Sequence, residues 1–343
     1  MKTVVSVNEI SEFEIKPKDL LGEWKQMVTS EMADLWADRD SWVSVSCPIC
    51  KSEVAHKAFM KENFTYAECG NCKTLYAADR PSIKELNSWY IDSESVRYWQ
   101  DILLRSSAAS REAKIIAPRL NWILDGMAEY IPSLHYENIQ CTDISFFGKT
   151  LLEKIAEEAK GIQLTAAGIT AVNEKYTAEN IYIQPVTSMD DLSALKPATV
   201  LIAIDVLERV PSIHDLFSQL ETLINPGGLV FATCPVSSGF EIQSLWDRSP
   251  SISLPDKLNL PSVKGLIDHF SSASKWEILE LSTPGMFDVE LVRRVMMQMP
   301  EAGWPRVLHA LLDNIDQTSM ELFTEYLQSQ RLSSFARIVL RRK

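Results

Sequence analysis

The cysteines are the residues of this chain whose types and spacing most directly suggest chemistry. Cys47-Pro48-Ile49-Cys50 and Cys69-Gly70-Asn71-Cys72 form two Cys-x-x-Cys pairs with eighteen residues between them. Each such turn aims two sulfurs at one point, so the two together predict a four-thiolate zinc site. Four thiolates close a tetrahedron and leave no position for water, which makes such a zinc structural. Unliganded thiols are the plainer alternative, and a redox role fits less well because thioredoxin-like motifs occur singly in a βαβ setting. His56 stands outside the set as a further candidate ligand, while Cys141 and Cys234 fall inside strand-like runs. The second group is acidic. Asp205 closes the apolar run Val200-Leu201-Ile202-Ala203-Ile204, and Glu208 follows three residues later. A carboxylate ending a buried strand is placed to act as a general base, to touch a ligand, or simply to cap the next helix. His214 is a weaker candidate, read most simply as a solvated first-turn histidine.

The elements that must position Asp205 and Glu208 are legible around them. Ile213, Leu216, Phe217, Leu220, Leu223 and Ile224 recur at helical spacing, and Asn225-Pro226-Gly227-Gly228 stops that helix before the second apolar run Leu229-Val230-Phe231-Ala232-Thr233. Strand, helix and strand make a βαβ unit. Continuously apolar strands are covered on both faces, the mark of a parallel α/β sheet whose ligand crevice lies beyond the carboxyl ends of the strands. Further strands are expected over Asn138 to Asp143, Ile162 to Ala167, Asn180 to Gln184, Trp276 to Leu281 and Phe335 to Leu340. Ahead of them, residues 1–46 read as an amphipathic helical preface, 47–80 as a zinc ribbon with a hairpin, and 81–132 as a helical linker or lid. The remaining 133–343 form the sheet domain, with a helical insertion at about 286–330. The aromatic stripe Leu86, Trp89, Tyr90, Tyr98, Trp99, Leu103 is read as core packing before a ligand lid.

The 343 residues are 46% hydrophobic, enough for a sizeable core, and carry 34 basic against 46 acidic side chains for a net charge of −12. That field repels polyanions, and Glu53, Glu62 and Glu68 surround the cysteines, so nucleic acid is not an expected partner. No apolar run approaches a membrane span and the start lacks a signal-peptide hydrophobic region, so the expected location is cytoplasmic. Arg337, Arg341, Arg342 and Lys343 are read as a solvated terminus, with phosphate contacts as the functional alternative.

Ile204-Asp205-Val206-Leu207-Glu208-Arg209-Val210 and Asn225-Pro226-Gly227-Gly228-Leu229-Val230-Phe231 resemble the fourth-strand and fifth-strand segments of class I S-adenosylmethionine (SAM) dependent methyltransferases, with Arg209 where the family has a histidine. The cysteine pairs, Ser110-Arg111-Glu112-Ala113-Lys114 to Arg119, and Leu281-Ser282-Thr283-Pro284-Gly285 to Val292 are similar to bacterial members that carry an N-terminal zinc ribbon and are associated with sugar and surface-polysaccharide biosynthesis. The resemblance implies a Rossmann-like sheet and a SAM site built on Asp143, Ser145, Gly148, Thr170 and Asp205. It also exposes two departures. The family's Asp-x-Gly-x-Gly-x-Gly loop becomes Asp143 followed by Ser145, Phe147 and Lys149 at the glycine positions, with Gly148 out of phase. Glycines there let the backbone approach the cofactor closely. Thr170 stands where an acidic residue would take both ribose hydroxyls, with Glu174 one turn further as a candidate substitute. Two readings follow. One is methyl transfer from SAM to a sugar, sugar nucleotide or glycan; the other is a non-catalytic methyltransferase-like protein that binds another ligand or a partner subunit.

Overall fold

The structure, a computed structural model, describes residues 1–5, 11–186, 188, 190–272 and 275–343. Seven of its strands make one sheet: β1 (Gln140–Asp143), β2 (Gln163–Ala166), β3 (Ile181–Ile183), β4 (Ala198–Ala203), β5 (Ile224–Pro235), β6 (Trp276–Ser282) and β7 (Phe335–Arg342). Their spatial order is β3-β2-β1-β4-β5-β7-β6. The first five run parallel, and β7 is inserted antiparallel between β5 and β6. The chain order reverses between β1 and β4, which opens a crevice beyond their carboxyl ends.

Alternation along the apolar runs assigns each side chain to a face. Val200 and Ile202 pack with Trp122, Ile123 and Met127 of helix α1 (Ala117–Tyr130) and with Leu151, Leu152 and Ile155 of α2 (Lys149–Glu158). Leu201 and Ala203 point the other way, onto Phe217 and Leu220 of α3 (Ile213–Leu223). Helix α3 starts where it does because the Ser212 hydroxyl accepts the Asp215 N–H at 3.1 Å. This is a Rossmann-like α/β sheet in which the parallel strands dominate, with a four-cysteine cluster near the N-terminus.

The ribbon is built into that core. Ala55–Lys61 and Phe64–Cys69 form its hairpin and Leu75–Ala77 its third strand, but the fourth strand, Asn259–Leu260, comes from the far part of the chain. Cys47, Ile49, Cys69, Cys72 and Tyr76 share one buried cluster with α3. The His214 N–H donates to the Pro48 carbonyl at 2.9 Å, and Lys51 pairs with Asp215 at 2.6 Å. Leu86, Trp89, Tyr90 and Leu103 bury against Trp24, Trp36, Phe64 and Tyr66, which is core packing. The insertion between β6 and β7 consists of Asp288–Gln298, Arg306–Leu312 and Gln317–Ser329 around its own centre at Val292, Trp304 and Leu312.

The C-terminal arginines do not form the solvated tail expected from their spacing. They alternate within and beyond β7, so Arg341 pairs with Glu277 at 3.2 Å, Arg342 donates to the Ile224 carbonyl, and Arg337 faces inward beside Trp122. Their side chains stand on the two faces of an internal strand, where the neighbouring strands and α1 supply partners, and Arg341 and Arg342 stay half-buried.

Among the described residues no helix is long and apolar enough to cross a membrane.

Candidate functional site

The four sulfurs of Cys47, Cys50, Cys69 and Cys72 lie within 4.8 Å of one another, and none of the six cysteines is disulfide-bonded. Cys47 and Cys72 approach to 3.5 Å, as do Cys50 and Cys69. A tetrahedron of thiolates at the usual zinc–sulfur length of about 2.3 Å sets its sulfurs about 3.8 Å apart, so the set fits zinc. The two turns are built alike. Lys51 N–H donates to the Cys47 carbonyl at 3.0 Å and Lys73 N–H to the Cys69 carbonyl at 3.1 Å, and both lysines hold positive φ, 58° and 61°. Gly70 is therefore needed for closeness instead of for φ: a Cβ there would meet the Val54 side chain at 2.9 Å. His56 lies beside Gly70 and outside the four-sulfur group. When bound, zinc would hold the ribbon's two knuckles together and has no open coordination position for a reaction.

The loop between β1 and α2 holds residues expected from the sequence resemblance to form a SAM site. Asp143, Ser145 and Thr170 are all buried there. The Asp143 carboxylate accepts the Ser145 N–H at 2.9 Å, and burial pushes its pKa up to about 6. Gly148 lies directly on that carboxylate, since a Cβ would fall 2.2 Å from Oδ2. The Ser145 hydroxyl reaches across to accept the Ile204 N–H at 2.9 Å. Thr170 Oγ1 accepts the Phe147 N–H at 3.1 Å. The Ser145, Ile204 and Phe147 N–H groups at the corner are thus all satisfied by side chains of the protein. Phe147 sits at φ +57°, the left-handed conformation a glycine takes without strain, so the loop has a glycine loop's backbone shape with a phenylalanine on it. Phe146 completes the closure, its ring edge-on to Tyr90 at 4.7 Å and under the Arg209 guanidinium at 5.0 Å. Glu174 accepts the Tyr176 hydroxyl at 2.8 Å, and burial pushes it up to about 7. An apolar hollow of about 70 Å³ remains nearby, lined by Ile144, Phe146, Ile169 and Val206.

Asp205 and Glu208 divide. Glu208 is fully buried and accepts from Lys257 at 2.6 Å and from Arg209 at 3.2 Å, while Arg209 also binds Asp256 at 3.0 Å. Those contacts make it the centre of an ion-pair network that anchors the segment after β4. Asp205 has φ +56° and opens onto a crevice of about 330 Å³. Thr233 holds it from β5, donating to Oδ1 at 3.3 Å, and Arg119 approaches Oδ1 to 3.6 Å. Burial alone would raise its pKa, but Arg119, Lys257 and Arg209 outweigh that and hold it down to about 2. A carboxylate that acidic is a weak proton acceptor near neutral pH, so its chemistry here is that of a fixed negative charge. The structure thus brings Asp143, Ser145, Gly148 and Thr170 together at one corner and sets Asp205 in the lining of a larger crevice. Arg111, Arg119 and Arg337 add basic groups to the lining of that crevice; sequence reasoning offers phosphate contacts only for Arg337, as the alternative to a solvated terminus, and gives Arg111 and Arg119 no site role because each looks alone like an ordinary surface charge.

No known protein-family profile and no curated protein matches the chain. Solved structures do. A putative sarcosine dimethylglycine methyltransferase from Galdieria sulphuraria aligns at 13% identity over 69% of this chain and 87% of its own, with a TM-score of 0.42. The geranyl diphosphate C-methyltransferase from Streptomyces coelicolor, solved with Mg2+, geranyl diphosphate and S-adenosyl-L-homocysteine, aligns at 11% identity over 70% and 84%, also with a TM-score of 0.42.

Proposed function

We propose that this chain is a methyltransferase-like protein that binds a small molecule in the crevice beyond β4 and β5, and that its SAM corner is closed by its own side chains. The observation that carries this reading is the pair of hydrogen bonds Ser145 Oγ to Ile204 N–H and Thr170 Oγ1 to Phe147 N–H. A cofactor entering the corner has to break both, at about 0.5–1.5 kcal/mol each, and finds no carboxylate at position 170 for the ribose diol. Together these effects weaken SAM by orders of magnitude while the fold, which needs neither interaction with SAM, persists. On this reading the N-terminal helical segment and the helical segment 81–132 are walls of the crevice, through Lys16, Trp24, Trp99 and Arg119.

A second reading, SAM-dependent methyl transfer to a sugar, sugar nucleotide or glycan, is supported by Asp143 and Asp205 standing at adjacent strand ends and by the crevice beside them. The experiment that separates the two is incubation of the protein with SAM and a set of sugar and sugar-nucleotide acceptors, following S-adenosyl-L-homocysteine (SAH) formation. The first reading predicts no SAH above the protein-free control. Acceptor-dependent SAH would establish the second.

A further inference from the structure

Three guanidinium groups line the crevice, two of them eight residues apart and the third from the last strand of the sheet. Arg111 ends the short helix Ala108–Arg111, Arg119 sits in the first turn of α1, and Arg337 projects from β7. The register of the sheet explains why Arg337 arrives there: it pairs with Thr233, the residue whose hydroxyl holds Asp205. Helix α1 packs across the same strands through Trp122, over whose ring the Arg337 guanidinium stacks at 5.4 Å. Arg119 acts electrostatically on both neighbours. Burial first, and then Arg119, push Arg111 and Arg337 each down to about 10.

Charge accounting around the three guanidinia is unbalanced. Lys16 pairs with Glu12 at 3.6 Å, Lys257 with Glu208, and Arg209 with Glu208 and Asp256. Asp205, 3.6 Å from Arg119, is the one carboxylate within ion-pair distance of the three guanidinia among the described residues. Arg111 has a long 3.5 Å hydrogen bond to the Ile15 carbonyl, and the Nε of Arg337 is buried with no acceptor. Leaving a donor buried and unmet is unfavourable, and like charges gathered out of bulk water are more so. Glu280, bound by the Trp122 indole, acts on Arg337 electrostatically from beyond ion-pair distance, so in a chain whose net charge is −12 the three guanidinia still form a local positive site of about one to two charges.

We propose that Arg111, Arg119 and Arg337 bind the phosphate dianion of a phosphorylated small molecule in this crevice. A phosphate group carries close to two negative charges at neutral pH and three strong acceptor oxygens, matching the excess charge and giving each guanidinium an oxygen. A monocarboxylate brings one charge and two oxygens, too few to give each of the three guanidinia its own. This assignment rests on the crevice being the ligand site of the proposed function and specifies the chemical class of that ligand.

Calorimetric titration of the full chain with inorganic phosphate at low ionic strength tests it. Saturable binding is expected with Kd of about 1 mM or tighter, with acetate at least about tenfold weaker. Arg111→Gln and Arg337→Gln should each weaken phosphate by about tenfold, whereas Lys264→Gln, an exposed residue paired with Asp268 outside the crevice, should not. Because an arginine variant can fail to fold, the wild-type protein is also titrated at pH 5.0 and pH 7.5: phosphate should weaken about tenfold relative to sulfate at the lower pH, where phosphate is a monoanion, because protonation of Glu241, which also lines the crevice and which burial pushes up to about 7, acts on both anions alike. No saturable heat with phosphate, equal binding of acetate, or folded arginine variants with unchanged affinity would overturn the assignment. SAM competing with phosphate and lost in the same variants would also overturn it, giving the guanidinia to the cofactor's carboxylate. SAM binding that leaves phosphate binding intact would instead overturn the closed corner and leave the phosphate site standing.

Discussion

Thr170 Oγ1 accepts a hydrogen bond from the backbone N–H of Phe147 at 3.1 Å, and both residues occupy positions where a SAM site would need different ones. One lies where a ribose-binding carboxylate is expected and the other where a glycine is expected. Their contact joins the two departures into a single interaction across the loop.

Thr170→Val keeps the volume and removes the acceptor. The Phe147 N–H is then left in a half-buried loop without its partner, and unfolding in urea should show a loss of about 1–2 kcal/mol with an unchanged m-value. A variant as stable as the parent would mean that water serves the N–H equally well and that this bond does not hold the loop.

Glu208→Ala should be far more costly. It strips the shared carboxylate from Lys257 and Arg209 in a fully buried network, so a loss of about 3–5 kcal/mol is expected in the same assay. A folded variant of near-parent stability would point to an exposed, reactive Glu208 and away from the anchoring role.

Removal of the metal should unfold more than the ribbon. Because Cys47, Cys69 and Cys72 share a buried cluster with α3, and Asn259–Leu260 closes the ribbon sheet, a strong chelator is expected to release one zinc per chain and to lower the single thermal transition of the whole protein. Two separate transitions, with only the first sensitive to chelator, would show that the ribbon is an independent unit.

His269 supplies a pH dependence with a defined sign. Burial, then the charge of His214 whose ring lies 5.3 Å away, depress its pKa from 6.5 to about 4. Between those values the unfolded chain binds a proton that the folded chain refuses, so stability present above pH 6.5 is lost as pH falls toward 4. The ring is partly exposed, which discounts the effect to about 1–2 kcal/mol. Denaturant titrations of the parent and of His269→Phe across pH 7 to 4.5 should diverge, the variant losing less; parallel curves would remove His269 as the cause.

Much of this was legible in the chain itself, for reasons that differ by residue. The cysteine pairs could be read because metal geometry restricts spacing so tightly, and β4 and β5 because a strand covered on both faces has to be apolar throughout. Helix α3 was expected over Ile213 to Ile224 and ends one residue earlier, where Ile224 turns into extended backbone. Asn259–Leu260 was not readable as a ribbon strand, since two residues carry no periodicity. Arg337 was misread as terminal charge because only strand order makes β7 internal. The gathering of the three guanidinia was invisible for the same reason: Arg111 and Arg337 are 226 positions apart, and nothing local marks them as neighbours.

The most direct test of the closed corner is calorimetric titration of SAH into the wild-type protein and into a Ser145→Gly, Phe147→Gly, Lys149→Gly, Thr170→Glu variant that restores the glycines and the ribose carboxylate. The wild type should give no saturable heat at about 1 mM ligand while the variant binds at least about a hundredfold more tightly, the two to three kilocalories per mole carried by the restored contacts. Micromolar binding to the wild type would contradict the account.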